Sequence, residues 1–357
     1  MSKIKRLFLR VMYNILIFNS TTKDIKLFGS AFGFKDNSKY LFIEALNREI
    51  PNCYWIAKDL DEEMLLNKLG YPNARMYTLE WLLLVRASKI SFFTHGISDI
   101  SPALPKKTVK VNLWHGFPLK RMGYDAECDK KRLFLRKKIG LNTEYDSWDY
   151  MLASNYPAKE KLKSATKICD SKFIVTMQPR IQFCYYKPKD NLYKYVLYAP
   201  TFRDDGSQSH IFKLINMWRC IFYEHGIKLI LKLHPKEEKL NVSSYEWVVE
   251  SSSINELDDP QELIAISEYL ISDYSSIIFD AINMSKKVLI FAPDQSEYLL
   301  NRGGDFYFDY SELLSKLVVF NDVKELNSII GNYYHDNDVP SEFKEYIECD
   351  ILDGFMK

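Results

Sequence analysis

Short apolar segments alternate with segments of helical periodicity along the chain, and this alternation restricts the possible folds more than any single motif does. Strands that are separated by helices indicate a parallel, doubly wound sheet. In the first half, the predicted strands are Ile25–Ser30, Cys53–Lys58, Arg75–Thr78, Ile90–His95, Val109–Trp114, Tyr150–Ala153 and Phe173–Thr176. In the second half, they are Tyr195–Ala199, Lys228–Leu233, Glu246–Val249, Tyr269–Ile271, Val288–Phe291 and Val318–Phe320. The sequence therefore predicts an α/β protein with a parallel sheet in each half.

Helical segments and one break in periodicity define the predicted domains. The predicted helices are Ser38–Glu49, Asp61–Leu69, Leu79–Ala87, Ile211–Glu224, Pro260–Ile266, Ser276–Asn283 and Val323–Tyr334, with a terminal helix at Pro340–Glu348. A length of 357 residues favours two domains of ordinary size. Because Lys187–Asn191 interrupts the periodicity as a linker does, we predict domains at residues 1–185 and 186–357. The terminal helix is a candidate to cross back to the first domain.

Composition and charge exclude several classes of protein. A hydrophobic content of 47% with 27% charged residues is typical of a soluble globular protein. A net charge of +1 argues against a general polyanion binder, nucleic-acid binders included. The six cysteines are scattered and form no CxxC motif, which predicts reduced thiols in a cytosolic protein. We also predict no obligatory metal or cofactor.

The stretch Ile271–Asp280, ISDYSSIIFD, predicts an anion site in the second half. A buried strand ends near Ser272, the chain turns, and apolar residues spaced three to four apart then begin an amphipathic helix. The hydroxyls of Ser275 and Ser276 are therefore expected at a helix N-terminus, beside unpaired backbone N–H groups that suit a phosphate. Ordinary N-capping by Asp273 or Ser275 explains the same residues equally well.

The segment Trp114–Lys120, WHGFPLK, directly follows a predicted strand. The strand end places His115 at the carboxyl edge of the sheet, where ligands of such sheets collect. Gly116 permits close approach of a ligand or of backbone, and Pro118 fixes the turn. A histidine with an ordinary pKa of about 6.5 is a suitable general base for activating a hydroxyl. A histidine that bonds only to the loop backbone is the alternative.

Polar residues also follow predicted strands and helices elsewhere in the second half. Thr201 and Arg203 follow the strand Tyr195–Ala199, and a hydroxyl and a guanidinium both suit phosphate oxygens. His234 ends another strand and is a candidate donor to a pyrophosphate oxygen. Arg302 precedes two glycines and is predicted to be a mobile cation in a loop. An ordinary Arg–Asp surface turn, a structural histidine and a flexible surface arginine are the respective alternatives.

Taken in order, these segments resemble the motifs of the CDP-glycerol glycerophosphotransferase family, the teichoic acid primases and polymerases. The matching segments are Trp114–Lys120, Tyr198–Asp204, Lys232–Pro235, Ser272–Asp280 and Arg302–Gly303. The resemblance implies a GT-B-like fold, in which two Rossmann-like, doubly wound domains face a cleft. It also implies transfer of a polyol phosphate, with glycerol phosphate as the first choice, from a CDP-activated donor to a hydroxyl of a membrane-linked or polymeric acceptor. CMP would be released.

The resemblance further implies roles for individual residues. His115 would be the catalytic base, and His234 would be the partner of the donor phosphate. The implied donor-binding residues are Thr201, Arg203, Asp273, Ser275, Ser276 and Arg302. The candidates for the acceptor side or the hinge are Gly116, Lys120 and Arg180. The first domain would then receive the acceptor, and the second would bind CDP-glycerol.

Two segments depart from the family pattern. Met177–Gln182 keeps a proline and Arg180, but it lacks a glycine and two polar residues that the family often shows there. Phe117 stands where the family commonly has threonine. Because both segments lie on the predicted acceptor side or hinge, the departures concern the identity of the acceptor.

Two basic and apolar segments favour contact with an anionic membrane surface. Residues 1–20 mix lysine and arginine with apolar side chains, and residues 130–138 read KKRLFLRKK. Such helices lie in the membrane interface, and the first segment is too short and too charged to span a bilayer. Packing on the protein's own core and a solvated helix face are the alternatives. We therefore expect a cytoplasmic protein that is peripheral on the inner face of the cell membrane.

Three other functions remain open. CDP-ribitol is an alternative donor, because nothing in the sequence distinguishes the two polyols. A GT-B glycosyltransferase that uses a nucleotide sugar for capsule or surface polysaccharide would need the same two domains, since a fold does not determine a function. A non-catalytic protein that binds CDP within a membrane complex is the third.

Overall fold

The computed structural model describes residues 23–184, 193–201, 209–233, 240–254, 257–302, 306–331 and 341–355. These residues form two compact units. The first unit contains the described residues up to Gly116, Met122–Phe183 and those from Glu345 onward. The second contains Phe117–Arg121 and the described residues between Cys184 and Lys344. The chain therefore passes between the units more often than a single boundary near residue 185 implies.

A seven-stranded parallel sheet forms the framework of the first unit. Its strands are β1 Ile25–Phe28, β2 Cys53–Ala57, β3 Asn73–Arg75, β4 Ser88–Phe93, β5 Val109–Asn112, β6 Tyr150–Ala153 and β7 Phe173–Val175. The strand order is β3-β2-β1-β4-β5-β6-β7, and every pair is parallel. The order reverses between β1 and β4, and ligands of such sheets bind beyond the carboxyl ends of the strands near this reversal.

The described helices of the first unit lie between these strands, except for two that follow β7. They are Asp36–Asn47, Leu60–Lys68, Leu79–Ala87, Glu127–Lys138, Tyr156–Thr166, Pro179–Gln182 and Ile351–Phe355. The side chains of Asp59, Thr78 and Asn155 each accept a hydrogen bond from a backbone N–H in the first turn of the helix that follows. Each such cap satisfies an N–H group that has no partner within its helix and contributes about 1 kcal/mol.

The second unit is built on a six-stranded parallel sheet. Its strands are β8 Lys194–Tyr198, β9 Ile227–Leu231, β10 Val248–Glu250, β11 Tyr269–Ser272, β12 Lys287–Ile290 and β13 Val318–Val319. The order is β10-β9-β8-β11-β12-β13, again with parallel pairs throughout. Its helices are Ser209–Glu224, Ser251–Ile254, Pro260–Ile266, Ile277–Asn283, Gln295–Arg302, Tyr310–Ser315 and Val323–Gly331.

Trp218 lies at the centre of the second core. It belongs to the helix Ser209–Glu224 and is fully buried. Its ring lies 5.1 Å from that of Tyr198, 5.5 Å from that of Phe291 and 6.0 Å from that of Phe320, measured between centroids. One side chain therefore joins the helix to residues that lie in or directly after three strands of the sheet.

The structure confirms the predicted α/β class and both parallel sheets, and each of the thirteen described strands overlaps a predicted one, although β3 shares only Arg75 with its prediction. The helix Tyr156–Thr166 was missed because its buried residues are mostly small and give a weak apolar stripe. The predicted terminal helix Pro340–Glu348 is wrong over its described part. There a single 3-10 turn, Ser341–Phe343, is followed by chain whose Glu345 and Tyr346 bond to the segment after β7.

The helix Glu127–Lys138 also lies outside the predicted set, and it contains the whole basic run 130–138. No helix within the described ranges has the length and apolar content needed to cross a bilayer. The other predicted membrane segment, residues 1–20, lies outside the described residues.

Replacing Trp218 by alanine is expected to lower the free energy of unfolding of the second unit by about 3–5 kcal/mol, because a large cavity remains. Trp218→Phe should cost much less, since the indole Nε1 has no hydrogen-bond partner among the described residues. Urea unfolding followed by circular dichroism measures both. Tyr223→Ala, an exposed position on the same helix, is the matched control. Equal losses in the alanine and phenylalanine variants would contradict a cavity as the cause.

Candidate active site

The first candidate site is the loop that follows β5. β5 ends at Asn112, whose side-chain oxygen accepts a hydrogen bond from the backbone N–H of Trp114 at 2.7 Å. Trp114 has a φ of 55° and Gly116 a φ of 151°, so the chain turns on both sides of His115. A side chain at position 116 would strain this turn, because only glycine adopts such a conformation readily. The loop therefore fixes the backbone of His115 at the carboxyl edge of the first sheet.

Buried polar side chains hold the carbonyl groups of Leu113–His115. The amide of Asn37 donates to the first two carbonyls, each at 3.0 Å. Nη1 of Arg180 donates to the third and to Oδ1 of Asp36, each at 2.9 Å. Arg180 and Asp36 are both buried, so water weakens their ion pair little. The predicted acceptor-side residue Arg180 thus contacts the backbone of the His115 loop.

The same network extends to two residues that sequence reasoning missed. Nδ2 of Asn37 donates to Oε1 of Gln178 at 3.2 Å. Gln178 in turn donates from its backbone N–H and its side-chain amide to the two carboxylate oxygens of Glu345, at 2.9 Å and 2.7 Å. All three residues are buried. No local sequence pattern pairs two residues 167 positions apart, so this bond was not predictable from the sequence.

The ring of His115 is bonded in a way that determines its tautomer. Its Nδ1 lies 3.3 Å from the carbonyl oxygen of Thr94. Because a carbonyl only accepts, Nδ1 must carry the proton when the ring is neutral. Nε2 then holds a lone pair, and no described residue bonds to it. His115 can therefore accept a proton at Nε2.

Burial in the loop lowers the pKa of His115 to about 4, and the nearby His95 acts in the same direction. The Asp36 carboxylate and the hydrogen bond to Thr94 oppose this shift. Since desolvation disfavours the charged imidazolium, the ring is neutral at physiological pH. A neutral ring is the form in which a histidine acts as a general base.

His95 lies against His115, although the sequence placed it only at the end of the predicted strand Ile90–His95. The two ring centroids are 4.1 Å apart, and the ring planes differ by 5°. His95 follows β4, which is the neighbour of β5 in the sheet. Burial lowers its pKa, while the Asp99 carboxylate raises it. The sheet order is the signal that would have brought the two histidines together.

The second candidate site is the turn after β11. Asp273 is buried there, and its Oδ1 accepts the backbone N–H of Thr201 at 2.8 Å and that of Tyr274 at 2.7 Å. The carboxylate therefore connects the turns that follow the neighbouring strands β8 and β11. The structure thus brings together the predicted residues Thr201 and Asp273.

Two serines of the same turn precede the helix Ile277–Asn283. The Oγ of Ser275 accepts the N–H of Ile277 at 3.4 Å. Ser276 occupies the N-cap position, but its side chain caps no N–H of the helix. Both serines are half-buried. The Ser276 hydroxyl is consequently available to a ligand at the start of the helix.

Lys120, which was predicted for the acceptor side or the hinge, lies in the short segment Phe117–Arg121 that belongs to the second unit. The physical reason is backbone pairing: Lys120 bridges to Phe306, and the N–H of Tyr307 donates to the carbonyl of Leu119 at 3.0 Å. Nζ of Lys120 bonds the hydroxyl of Tyr298 at 3.0 Å. The Tyr298 ring stacks on Tyr274 at 3.7 Å, so Lys120 supports the turn after β11.

Phe117 likewise packs in the second unit. Its ring lies 4.5 Å from that of Phe279, 5.6 Å from that of Phe308 and 5.4 Å from that of Phe343. A phenylalanine here is explained by this aromatic cluster.

The remaining predicted donor residues are less completely placed. Arg203 and His234 lie outside the described residues. Arg302 ends the helix Gln295–Arg302, so its predicted position in a loop is wrong; the helix continues through Tyr298, which the stack on Tyr274 holds in place. Within the described part of the chain, no group of three or more His, Cys, Asp or Glu side chains is arranged to hold a metal ion.

Comparison with known proteins shows where this chain belongs. The sequence model described as CDP-Glycerol:Poly(glycerophosphate) glycerophosphotransferase matches residues 11–346. The chain is 27% identical over 333 residues to the teichoic acid poly(glycerol phosphate) polymerase of Bacillus spizizenii, covering 84% of this chain and 79% of that one. It is 24% identical, in an alignment of 393 positions, to the teichoic acid glycerol-phosphate transferase of Staphylococcus aureus, covering 98% and 96%.

A solved structure of the wall teichoic acid polymerase TagF superposes with a TM-score of 0.67 at 20% identity, covering 92% of this chain and 89% of that one. At this identity the likeness shows the fold, and it confirms the predicted GT-B-like class. The family match includes both the His115 loop and the Asp273 turn. The chain therefore belongs to the CDP-glycerol:poly(glycerophosphate) glycerophosphotransferase family, as its motifs predicted.

Proposed function

We propose that the protein transfers glycerol phosphate from CDP-glycerol to a hydroxyl group of a teichoic-acid-type acceptor and releases CMP. The family match supports the reaction class, and the names of the two relatives support the substrate class. The observation that supports this chemistry most directly in the chain itself is the state of His115. Its Nδ1 is bonded to a carbonyl and its ring is neutral, so that Nε2 is ready to take a proton.

In the proposed reaction, the acceptor hydroxyl attacks the phosphorus that carries the glycerol. A new P–O bond to the acceptor forms, the bond from this phosphorus to the bridging oxygen breaks, and CMP leaves with the bridging oxygen. His115 takes the hydroxyl proton at Nε2 and later releases it to solvent. Because the His115 tautomer is already fixed by Thr94, no rearrangement of the base precedes this step.

We assign the donor diphosphate to the turn after β11. The Ser275 and Ser276 hydroxyls and the backbone at the start of the helix Ile277–Asn283 would face its oxygens, with Thr201 beside them. Arg203, His234 and Arg302 would supply positive charge. Asp273 has a different part in this proposal: its Oδ1 accepts the backbone N–H groups of Thr201 and Tyr274, and a carboxylate suits a role in shaping the turn better than contact with an anionic ligand.

On the acceptor side we assign Gly116 and Arg180. Gly116 has no side chain to obstruct a hydroxyl that approaches His115. Arg180 bonds the His115 carbonyl, so it would hold the loop and would not contact the acceptor itself. Lys120 is assigned to the donor side, because it bonds Tyr298 in the second unit.

We further propose that the helix Glu127–Lys138 lies on an anionic membrane surface. Phe134 and Leu135 are 66% and 59% exposed. They share a helix face with Lys131 and Lys138, at the spacing of residues that lie side by side. An exposed face that combines apolar and basic side chains suits the interface of anionic lipids. Residues 1–20 would add a second basic segment.

Replacing His115 by alanine is expected to lower kcat by about 10²–10⁴-fold, the usual loss for a general base. The measurement is CMP release from CDP-glycerol with a lipid-linked teichoic-acid acceptor, with CDP-ribitol and UDP-N-acetylglucosamine as alternative donors. His225→Ala is the matched control, since His225 bonds Asn327 in the second unit, away from the described turns. Near-normal turnover in His115→Ala would refute its role as base. Turnover with another donor alone would refute CDP-glycerol.

Replacing Arg180 by alanine is expected to lower the free energy of unfolding by about 3–5 kcal/mol, because the Asp36 carboxylate is left buried without its partner. The two side chains are only 7% and 10% exposed. Combining Arg180→Ala with Asp36→Asn should restore part of the lost free energy of unfolding, since the buried charge is then removed. Denaturant unfolding compares the three proteins. A double variant less stable than the single one would contradict this explanation.

Replacing Phe134 and Leu135 together by serine is expected to reduce binding to vesicles of anionic lipid, because the apolar part of the helix face is lost. Cosedimentation with phosphatidylglycerol vesicles, compared with phosphatidylcholine and with high salt, measures the apolar and electrostatic contributions. Leu83→Ser, at an exposed leucine of the helix Leu79–Ala87, is the control. Undiminished binding of the double variant would exclude this face as the contact.

A further inference from the structure

His95 and His115 are connected by more than the contact between their rings. The rings are almost parallel, with centroids 4.1 Å apart. Thr94 binds both of them: its hydroxyl lies 3.0 Å from Nδ1 of His95, and its carbonyl oxygen lies 3.3 Å from Nδ1 of His115. Thr94 therefore holds both imidazoles, each through its own Nδ1.

Contacts with other neighbouring residues also hold His95 in place. Its backbone N–H donates to Oδ2 of Asp99 at 2.9 Å, and the same oxygen accepts the N–H of Thr94 at 3.1 Å. The exposed ring of Phe32 meets the His95 ring edge-on at 4.9 Å. The hydroxyl of Thr94 also bonds that of Ser30 at 3.2 Å. In addition to its contact with His115, His95 thus belongs to a hydrogen-bonded cluster at the ends of β1 and β4.

We propose that His95 is a positioning residue for His115: the two stacked imidazoles behave as one coupled pair that takes up at most one proton beyond its neutral form, and His95 sets the plane of the His115 ring. This role rests on the proposed function, in which His115 is the base. Two positive rings at this separation would repel each other strongly in a half-buried site. Two groups that interact so closely titrate as a pair rather than as independent sites.

The charges around the two rings determine whether the pKa of the pair is raised or lowered. Asp36 and Asp99 favour a proton on the pair, whereas Lys58, Arg180 and burial disfavour it. A proton on His95 further lowers the pKa of His115. Removing the proton-binding site of His95 while keeping a ring in its place should therefore raise the pKa of His115 and preserve its orientation.

The test compares His95→Phe, which keeps a ring that binds no proton, with His95→Ala, which removes the ring. The resonances of the six histidines are followed from pH 3 to pH 8, and His115 is assigned by its loss in His115→Gln. In His95→Phe we expect the His115 titration midpoint to rise toward the ordinary histidine value. His225→Phe, in the second unit, should leave the midpoint unchanged. His95→Gln provides a second uncharged replacement in case the ring variant folds poorly.

Kinetics test the positioning role. His95→Ala is expected to lower kcat by up to about 10²-fold with little change in KM, as misplacement of a catalytic group does. His95→Phe should recover most of kcat, with the acid limb of its pH profile moved to higher pH. An unchanged His115 midpoint in both His95→Phe and His95→Gln would overturn the coupling. Wild-type kcat and pH profile in His95→Ala would overturn the positioning role.

The role of His115 as the base and the coupling of the two rings can be refuted independently. If His115→Ala retains turnover, His115 is not the base and the proposed function fails in that respect. The titration midpoint of His115 in His95→Phe would still measure the coupling of the rings, because it does not depend on activity.

Discussion

The buried ion pair between Arg180 and Asp36 is the interaction on which the His115 loop depends. Arg180 reaches the His115 carbonyl and the Asp36 carboxylate with one nitrogen, and its backbone N–H bonds Asn37. Asp36 has a φ of 67°, an uncommon conformation for a residue with a side chain. Such a conformation persists only where the surroundings enforce it. Each polar group in this network is a hydrogen-bond partner of another. Removing one side chain therefore leaves a buried polar group unpaired and weakens the remaining hydrogen bonds.

Both candidate sites follow from one property of parallel sheets, the meeting of carboxyl ends at one edge. In the first unit, β4 and β5 are neighbours, so the residues that follow them, His95 and His115, come into contact. In the second unit, β8 and β11 are neighbours, and a carboxylate after one binds the backbone after the other. Neither pair is close in sequence. The strand order, rather than any motif by itself, therefore assembles the polar groups.

Local patterns made the strands, His115 and the Asp273 turn predictable, because each depends on residues within a few positions of one another. Lys120, His95 and Glu345 show where such patterns stop. Lys120 belongs to a motif that begins in the first unit, yet its backbone pairs with Phe306. His95 required the strand order, and Glu345 required a contact across 167 positions. Periodicity and spacing contain no information on contacts of this range, and a single sequence offers no other signal for them.

The bond between Gln178 and Glu345 has a consequence for synthesis on the ribosome. Domains generally fold in the order in which they are translated, at about 5–20 residues per second. Here the first unit includes chain from Glu345 onward, so Nε2 of the buried Gln178 lacks its Glu345 acceptor until the whole second sheet has been translated. At that rate, the chain between Gln178 and Glu345 takes on the order of ten seconds or more to be translated. We therefore expect the network that supports the His115 loop to be completed only late in translation.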